Sequence, residues 1–242
     1  MVKGIFFDVG GTIYSYRKMS SAQAEVLQQL LQKLDLECSA ADLAQHFRLA
    51  NKEVDLRYAK KPGYLFCDYF CDIFSALLKR INRTHQQHYF GWFNALQQEK
   101  LVGSLTLQPD CHSTLDQLKA MGLYLSAVSN ADNNQLVPLV ERGELQRWLT
   151  HWTSSEEAQS CKPDQRIFQI ALNKADLTPD QVVFVGDSLE QDIAGAHAAG
   201  MTTVLITEPG IPVPMHIGRD VPEPHYRIKR LGELPDIVRS LA

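Results

Sequence analysis

Gly4-Ile5-Phe6-Phe7-Asp8-Val9-Gly10-Gly11-Thr12 begins as a short run without a polar break and stops at a carboxylate followed by paired glycines. A run of this length bounded by turn residues reads as a strand, and its unbroken apolar character means that both faces are covered. Similar runs occupy residues 123–128, 182–185 and 202–206, with a weaker one at 226–228 and a further candidate at 149–153. Helical spacing lies between them. Leu115-Leu118-Met121 stops at Gly122, Ile167-Ile170-Ala171 follows Pro163, and Ile193-Ala194-Ala196-His197 stops before Gly200. Strand alternating with helix predicts an α/β fold, a Rossmann-like three-layer core around a parallel sheet.

Residues 20–102 break that rhythm. They hold no strand pattern, but Ala22-Val26-Leu30-Leu34 and Phe66-Phe70-Ile73-Phe74-Leu77-Leu78 recur at helical spacing, and Lys61-Pro62-Gly63 marks a turn between two helices. The expected organisation is a catalytic core of residues 1–16 and 103–242 with an α-helical domain, residues 17–102, inserted after the first strand. Residues 209–224 are rich in proline and read as an irregular loop.

Composition narrows the function classes. The 242 residues are 45% hydrophobic and 21% charged, with 24 Lys plus Arg against 28 Asp plus Glu. These are globular values, and the net charge of −4 argues against a broadly basic nucleic-acid surface. No apolar run reaches the roughly 18–20 residues that span a bilayer. The first apolar run stops at Asp8, which is too early for a signal peptide. Five cysteines, an odd count without a C-x-x-C pair, predict reduced thiols and a cytoplasmic protein. Neither nucleic acid nor membrane is expected as a partner, and the oligomeric state stays open.

Reactive groups in open parallel sheets gather beyond the carboxyl ends of the strands. Asp8 ends the first strand and suits a nucleophile or a metal ligand beside a tight Gly10-Gly11 turn. Ser129 and Asn130 follow the second, offering a hydroxyl and an amide to an anionic oxygen. Lys162 precedes Pro163 at a helix start, where a cation and free backbone amides can hold phosphate. Asp187 follows the strand at 182–185 and Asp192 lies five residues on, a carboxylate pair suited to Mg²⁺. Each has a plainer reading as a helix cap, turn residue or surface charge. Their order along the chain, all at strand ends or a helix start, carries the signal. Gly195 and Gly200 have P-loop spacing, but Met201 stands where the phosphate-binding lysine belongs, so close packing of a helix on the sheet is the better reading.

Over nearly its whole length the chain resembles the haloacid dehalogenase superfamily. Asp8 to Thr12 looks like its first motif, Ser129 its second, Lys162 in Lys-Pro-Asp its third, and Gly186-Asp187 to Asp192 its acidic fourth. The helical insert resembles the family's cap. The resemblance implies a hydrolase in which Asp8 attacks phosphorus and forms an aspartyl-phosphate, with Ser129 and Lys162 as its catalytic companions. Gly11, Thr12 and Asn130 would contact substrate. Mg²⁺ would be held by Asp8, the Gly10 carbonyl and Asp187, with Asp192 either at the metal or ordering its water and Lys162. The implied substrate is a small phosphorylated metabolite, since a lid over the nucleophile excludes bulky partners.

Gly10 departs from the pattern, because phosphatases of this family carry a second Asp there as acid and base, help worth about 10²–10⁴-fold in rate. Tyr14, Tyr16, His46, His85 and His88 are candidate replacements. A phosphonatase or dehalogenase-type hydrolase, with Lys52, Lys60 or Lys61 as a cap lysine, is an alternative. A phospho-ligand or protein-binding module without turnover is another.

Overall fold

The computed structural model describes residues 1–211 and 221–241. Most of the proline-rich stretch expected as a loop, residues 212–220, lies outside them. The chain divides into two compact units, one made of Met1–Tyr16 and Thr106–Ala242, the other of Arg17–Leu105.

The strands of the first unit are β1 (Gly4–Phe7), β2 (Tyr14–Ser15), β3 (Thr106–Leu107), β4 (Tyr124–Ser129), β5 (His151–Ser154), β6 (Val182–Gly186), β7 (Thr202–Ile206) and β8 (Tyr226–Ile228). Six of them form one parallel sheet in the order β5-β4-β1-β6-β7-β8. β1 lies inside that sheet, with Ile5 paired to Leu125 on one side and Val183 on the other. Its four residues are all buried, as the unbroken run requires. β5 starts later than the expected 149, because the Leu149 N–H is engaged by the Leu145 carbonyl at 2.9 Å in the preceding helical turn. β2 and β3 form a separate antiparallel pair of two residues each, too short to show a periodic pattern.

The second unit consists of helices α1 (Met19–Lys33), α2 (Ala40–Tyr58), α3 (Phe66–Arg80) and α4 (Phe90–Gln97) with short connecting turns. The predicted stripe Ala22, Val26 and Leu30 is the buried face of α1, and Ile73, Phe74, Leu77 and Leu78 are that of α3. These faces meet around Phe74 and Phe93, whose rings stack with centroids 4.6 Å apart. Ser39 starts α2 by accepting the Asp42 N–H at 3.1 Å, and Lys61-Pro62-Gly63 separates α2 from α3.

The sheet is flanked by α5 (Cys111–Ala120), α6 (Asn133–Arg142), α7 (Ser155–Ala158), α8 (Gln165–Ala175), α9 (Ala194–Ala198) and α10 (Leu234–Ser240). On one face Phe6, Val128 and Phe184 bury against Ile167, Phe168, Ala171 and Leu172 of α8. Ile5 and Phe7 alternate to the other face and are equally buried. Gly122 and Gly200 follow α5 and α9 at φ of +76° and +87°, the left-handed stop their positions predict. A Cβ on Gly195 would lie 2.5 Å from the Phe168 ring and 3.0 Å from the Pro163 Cα. The small residues of α9 thus serve packing, but against the start of α8. Among the described residues no helix is long and apolar enough to cross a membrane.

Candidate active site

Because β4, β1 and β6 run parallel in register, with Phe7 opposite Ala127 and Val185, their carboxyl ends leave the sheet along one edge. That edge presents Asp8, Ser129 and Asp187. Asp8 and Ser129 are buried and Asp187 half-buried. The chain after Asp8 turns back at once. The Tyr14 N–H donates to the Val9 carbonyl at 2.9 Å and the Gly11 N–H to the Tyr14 carbonyl at 2.6 Å. Gly11 sits at φ +81°, and a Cβ there would lie 2.0 Å from Asp187 Oδ2. Glycine is therefore needed twice over, for the backbone and for room beside the carboxylate.

Lys162 joins the strand ends. Its ammonium lies 2.6 Å from Asp8 Oδ1, 2.6 Å from Asp192 Oδ1 and 3.0 Å from the Val128 carbonyl. The other oxygen of Asp192 accepts the Ser188 N–H at 2.9 Å. This close return explains Gly186, where a Cβ would sit 2.4 Å from the Asp192 side chain. Lys162 was expected at a helix start with free amides around it. Its side chain instead turns back to the strand ends, and Asp164 caps α8 by accepting the Arg166 N–H at 3.0 Å.

Asn130 is committed within the protein. Its Oδ1 accepts the Lys162 N–H at 2.7 Å, and its Nδ2 donates to the Lys162 carbonyl at 3.1 Å and to Gln191 Oε1 at 3.3 Å. It fixes the Lys162 segment, with the Lys162–Pro163 bond cis. Thr12 is fully buried, and its hydroxyl has no hydrogen-bond partner among the described residues. The candidate replacements at Gly10 separate clearly. The Tyr14 hydroxyl donates to the Leu139 carbonyl at 2.6 Å, whereas the Tyr16 hydroxyl would be 2.4 Å from a Cβ on Gly10. His46, His85 and His88 belong to the helical unit, where His85 and His88 are exposed. Asp164, read only as part of Lys-Pro-Asp, and Gln191 carry contacts that the sequence did not assign to them. The first carried a signal, an Asp just ahead of a helical pattern.

Asp8, Asp187 and Asp192 bring ligand oxygens within 4.8 Å of one another, the one such cluster of three or more His, Cys, Asp or Glu among the described residues. One ammonium faces three carboxylates. Burial pushes the Asp8 carboxyl up to about 6, with Lys162 pulling it down and Asp192 pushing it further up. Burial, then repulsion from Asp8 and Asp192, raises Asp187 well above the carboxylate range. Burial opposes the charge on Lys162, but Asp192 and Asp8 outweigh it and its ammonium is held on the charged side. Tyr16 is raised well above the phenol range by burial and then by Asp187, Asp8 and Asp192. An oxygen-only donor set with surplus negative charge fits a hard divalent cation such as Mg²⁺.

The sequence matches the family model of haloacid dehalogenase-like hydrolases over residues 2–200. The chain belongs to this family. It is a hydrolase, and its relatives include phosphatases and dehalogenases. A glyceraldehyde 3-phosphate phosphatase of Methanopyrus kandleri is 29% identical over 100% of this chain and 99% of its own. A ribulose-1,5-bisphosphate 5-phosphatase of Halopiger xanaduensis is 25% identical over 98% of this chain and all of its own. Among solved structures, L-2-haloacid dehalogenase from Xanthobacter autotrophicus superposes over the full length of both chains with a TM-score of 0.74 at 20% identity, a likeness of fold.

Proposed function

We propose that this haloacid dehalogenase-like hydrolase is a Mg²⁺-dependent phosphatase of a small phosphorylated metabolite, working through an aspartyl-phosphate on Asp8. The observation that carries the reading is the cluster of three carboxylates around one lysine at the strand ends. A nucleophile for a carbon–halogen bond needs no cation, whereas the phosphate dianion repels an attacking carboxylate. Asp187, crowding Asp8 and raised by it, has a purpose if a cation joins them. Two phosphatases similar over their full length are named for glyceraldehyde 3-phosphate and ribulose 1,5-bisphosphate, which favours a sugar phosphate. Five free cysteines suit a cytoplasmic setting.

Asp8, the Gly10 carbonyl and Asp187 would hold the cation, which when bound supplies positive charge to offset repulsion between carboxylate and phosphate. Lys162 orients the Asp8 carboxylate through Oδ1, leaving Oδ2 for attack. The Asp8–phosphorus bond forms as the ester oxygen departs with its bonding pair, and water then cleaves the aspartyl-phosphate. Ser129 would offer its hydroxyl to the phosphoryl oxygens, and Lys162, its three protons engaged, would add positive charge beside them as charge spreads over those oxygens. Asp192 and Asn130 position Lys162, one by its ammonium and the other by its backbone.

Hydrolysis of para-nitrophenyl phosphate with Mg²⁺ tests the reading. Turnover that needs the cation and is abolished in Asp8→Asn is expected. Turnover of 2-chloropropionate but of no phosphate ester would replace the phosphatase reading with a dehalogenase.

A further inference from the structure

The absent side chain at Gly10 leaves no gap. A Cβ built there would meet the Tyr16 hydroxyl oxygen at 2.4 Å, its Cζ at 3.1 Å and its Cε1 at 3.4 Å. The other edge of the same ring faces Gly11, where a Cβ would lie 2.7 Å from Tyr16 Cε2. The phenol therefore lies across both glycines of the turn and stands where a Cβ at position 10 would be. Its hydroxyl has no hydrogen bond to a described residue.

The other donor in the cluster is already engaged. An ammonium has three protons, and Lys162 directs them to Asp8, Asp192 and the Val128 carbonyl. The Tyr14 hydroxyl is spent on its hydrogen bond to the Leu139 carbonyl. The buried Thr12 hydroxyl is also without a partner, but the hydroxyl that stands at the side-chain position of Gly10 is that of Tyr16. Attack by a carboxylate on phosphorus builds negative charge on the departing oxygen, where a preorganised donor is worth most.

We propose that Gly10 and Tyr16 act as a size-matched pair, the glycine making room for the phenol, and that the Tyr16 hydroxyl hydrogen-bonds the substrate oxygen that leaves when Asp8 attacks. The donor role rests on the phosphatase reading, while the size match does not. The Asp8–phosphorus bond forms, the phosphorus–oxygen bond breaks, and the leaving oxygen keeps the electron pair. Tyr16 lends a hydrogen bond and retains its proton, and the oxygen takes a proton from water. Among the sugar phosphates favoured above, this arrangement suits one whose leaving oxygen is the more stable as an anion, such as a phosphate on the anomeric carbon.

Two measurements separate the parts. Thermal unfolding of Gly10→Ala, Tyr16→Ala and the double variant tests the size match without reference to catalysis. The added methyl is expected to lower Tm with Tyr16 present and to have little effect with Tyr16→Ala. An equal drop in both backgrounds would overturn the pairing. Kinetics of Tyr16→Phe, which keeps the ring, test the donor. One lost hydrogen bond to a charged oxygen lowers kcat by about ten- to a hundredfold. The loss is expected to be larger for phenyl phosphate than for para-nitrophenyl phosphate, with KM and Tm unchanged. No loss, or an equal loss on both esters, would overturn the donor role. If the wild-type protein hydrolyses neither ester, the phosphatase reading fails and the donor role falls with it, and the unfolding cycle still decides the pairing.

Discussion

Asp192 divides its two carboxylate oxygens between the Lys162 ammonium, at 2.6 Å, and the Ser188 backbone N–H, at 2.9 Å. The lysine is thereby held from below while its other contacts reach Asp8 and the Val128 carbonyl. Removing either partner has unequal consequences. Lys162→Met leaves three crowded carboxylates without a counter-charge and is expected to cost about 3–5 kcal/mol, the range for breaking a buried pair from one side. Asp192→Asn leaves Lys162 still paired to Asp8 and costs less. Chemical denaturation of both variants in metal-free buffer checks the order, and the reverse order would refute this account of the network.

Asp8→Asn is expected to abolish turnover, and it takes away one of three mutually repelling carboxylates. Burial raises the Asp8 carboxyl to about 6, so its ionised form is held against a penalty at neutral pH. The metal-free variant is therefore expected to melt at a higher temperature than the wild-type protein at pH 7. A lower Tm at that pH would mean that the Lys162 pairing outweighs the repulsion.

The same shift has a pH signature. Asp8 binds its proton more tightly folded than unfolded, so its contribution favours the folded state below the ordinary carboxyl value of 3.8 and is lost as the pH rises through about 6. Asp187, also raised, acts in the same direction. A cation binds the ionised forms and recovers what ionisation loses. The rise in Tm on adding Mg²⁺ is expected to be larger at pH 7 than at pH 5. Equal rises at both values would show that the ion stabilises the protein elsewhere.

Gly10→Asp, made to supply a missing acid, is expected to give no gain in phosphatase activity, because Tyr16 occupies the space its side chain needs. The same substitution combined with Tyr16→Ala has room. Assays of the single and double variants on phenyl phosphate distinguish the two situations, and a gain in the single variant would show that the phenol moves aside.

Gly195→Ala drives a methyl into Phe168 and the Pro163 backbone. Overpacking of this kind costs about 1–3 kcal/mol. Because Pro163 adjoins Lys162, activity is expected to fall together with Tm. Unfolding and turnover measured on one preparation check both, and an unchanged Tm would mean that α9 shifts freely.

The mainly apolar runs made β1, β4, β6 and β7 readable, since strands buried on both faces show little polar alternation. Asp8, Lys162 and Asp187 were readable because each stands next to such a run or a helix start. Asn130 was not. Its amide meets the backbone of Lys162, 32 residues away, and only the parallel pairing of β4 and β5 brings those loops side by side. Tyr16 was readable as a candidate but not above Tyr14, because the choice depends on the path of the turn after Val9. Leu149 misled the bounds of β5, because an apolar residue closing a helical turn looks like the first residue of a strand.

The interior place of β1 in the sheet governs how the protein is made. The strand that carries Asp8 is synthesised before both of its neighbours, β4 and β6, and the last of them ends at Gly186. At roughly 5–20 residues per second, a ribosome takes about ten to forty seconds to deliver that partner. Throughout that interval β1 is an apolar segment with neither edge satisfied, while the helical residues that follow it can close their short-range contacts. The carboxylate cluster is therefore assembled late. A nascent chain carries no working carboxylate cluster until most of it has emerged, and the exposed β1 is the segment that chaperones have most reason to hold.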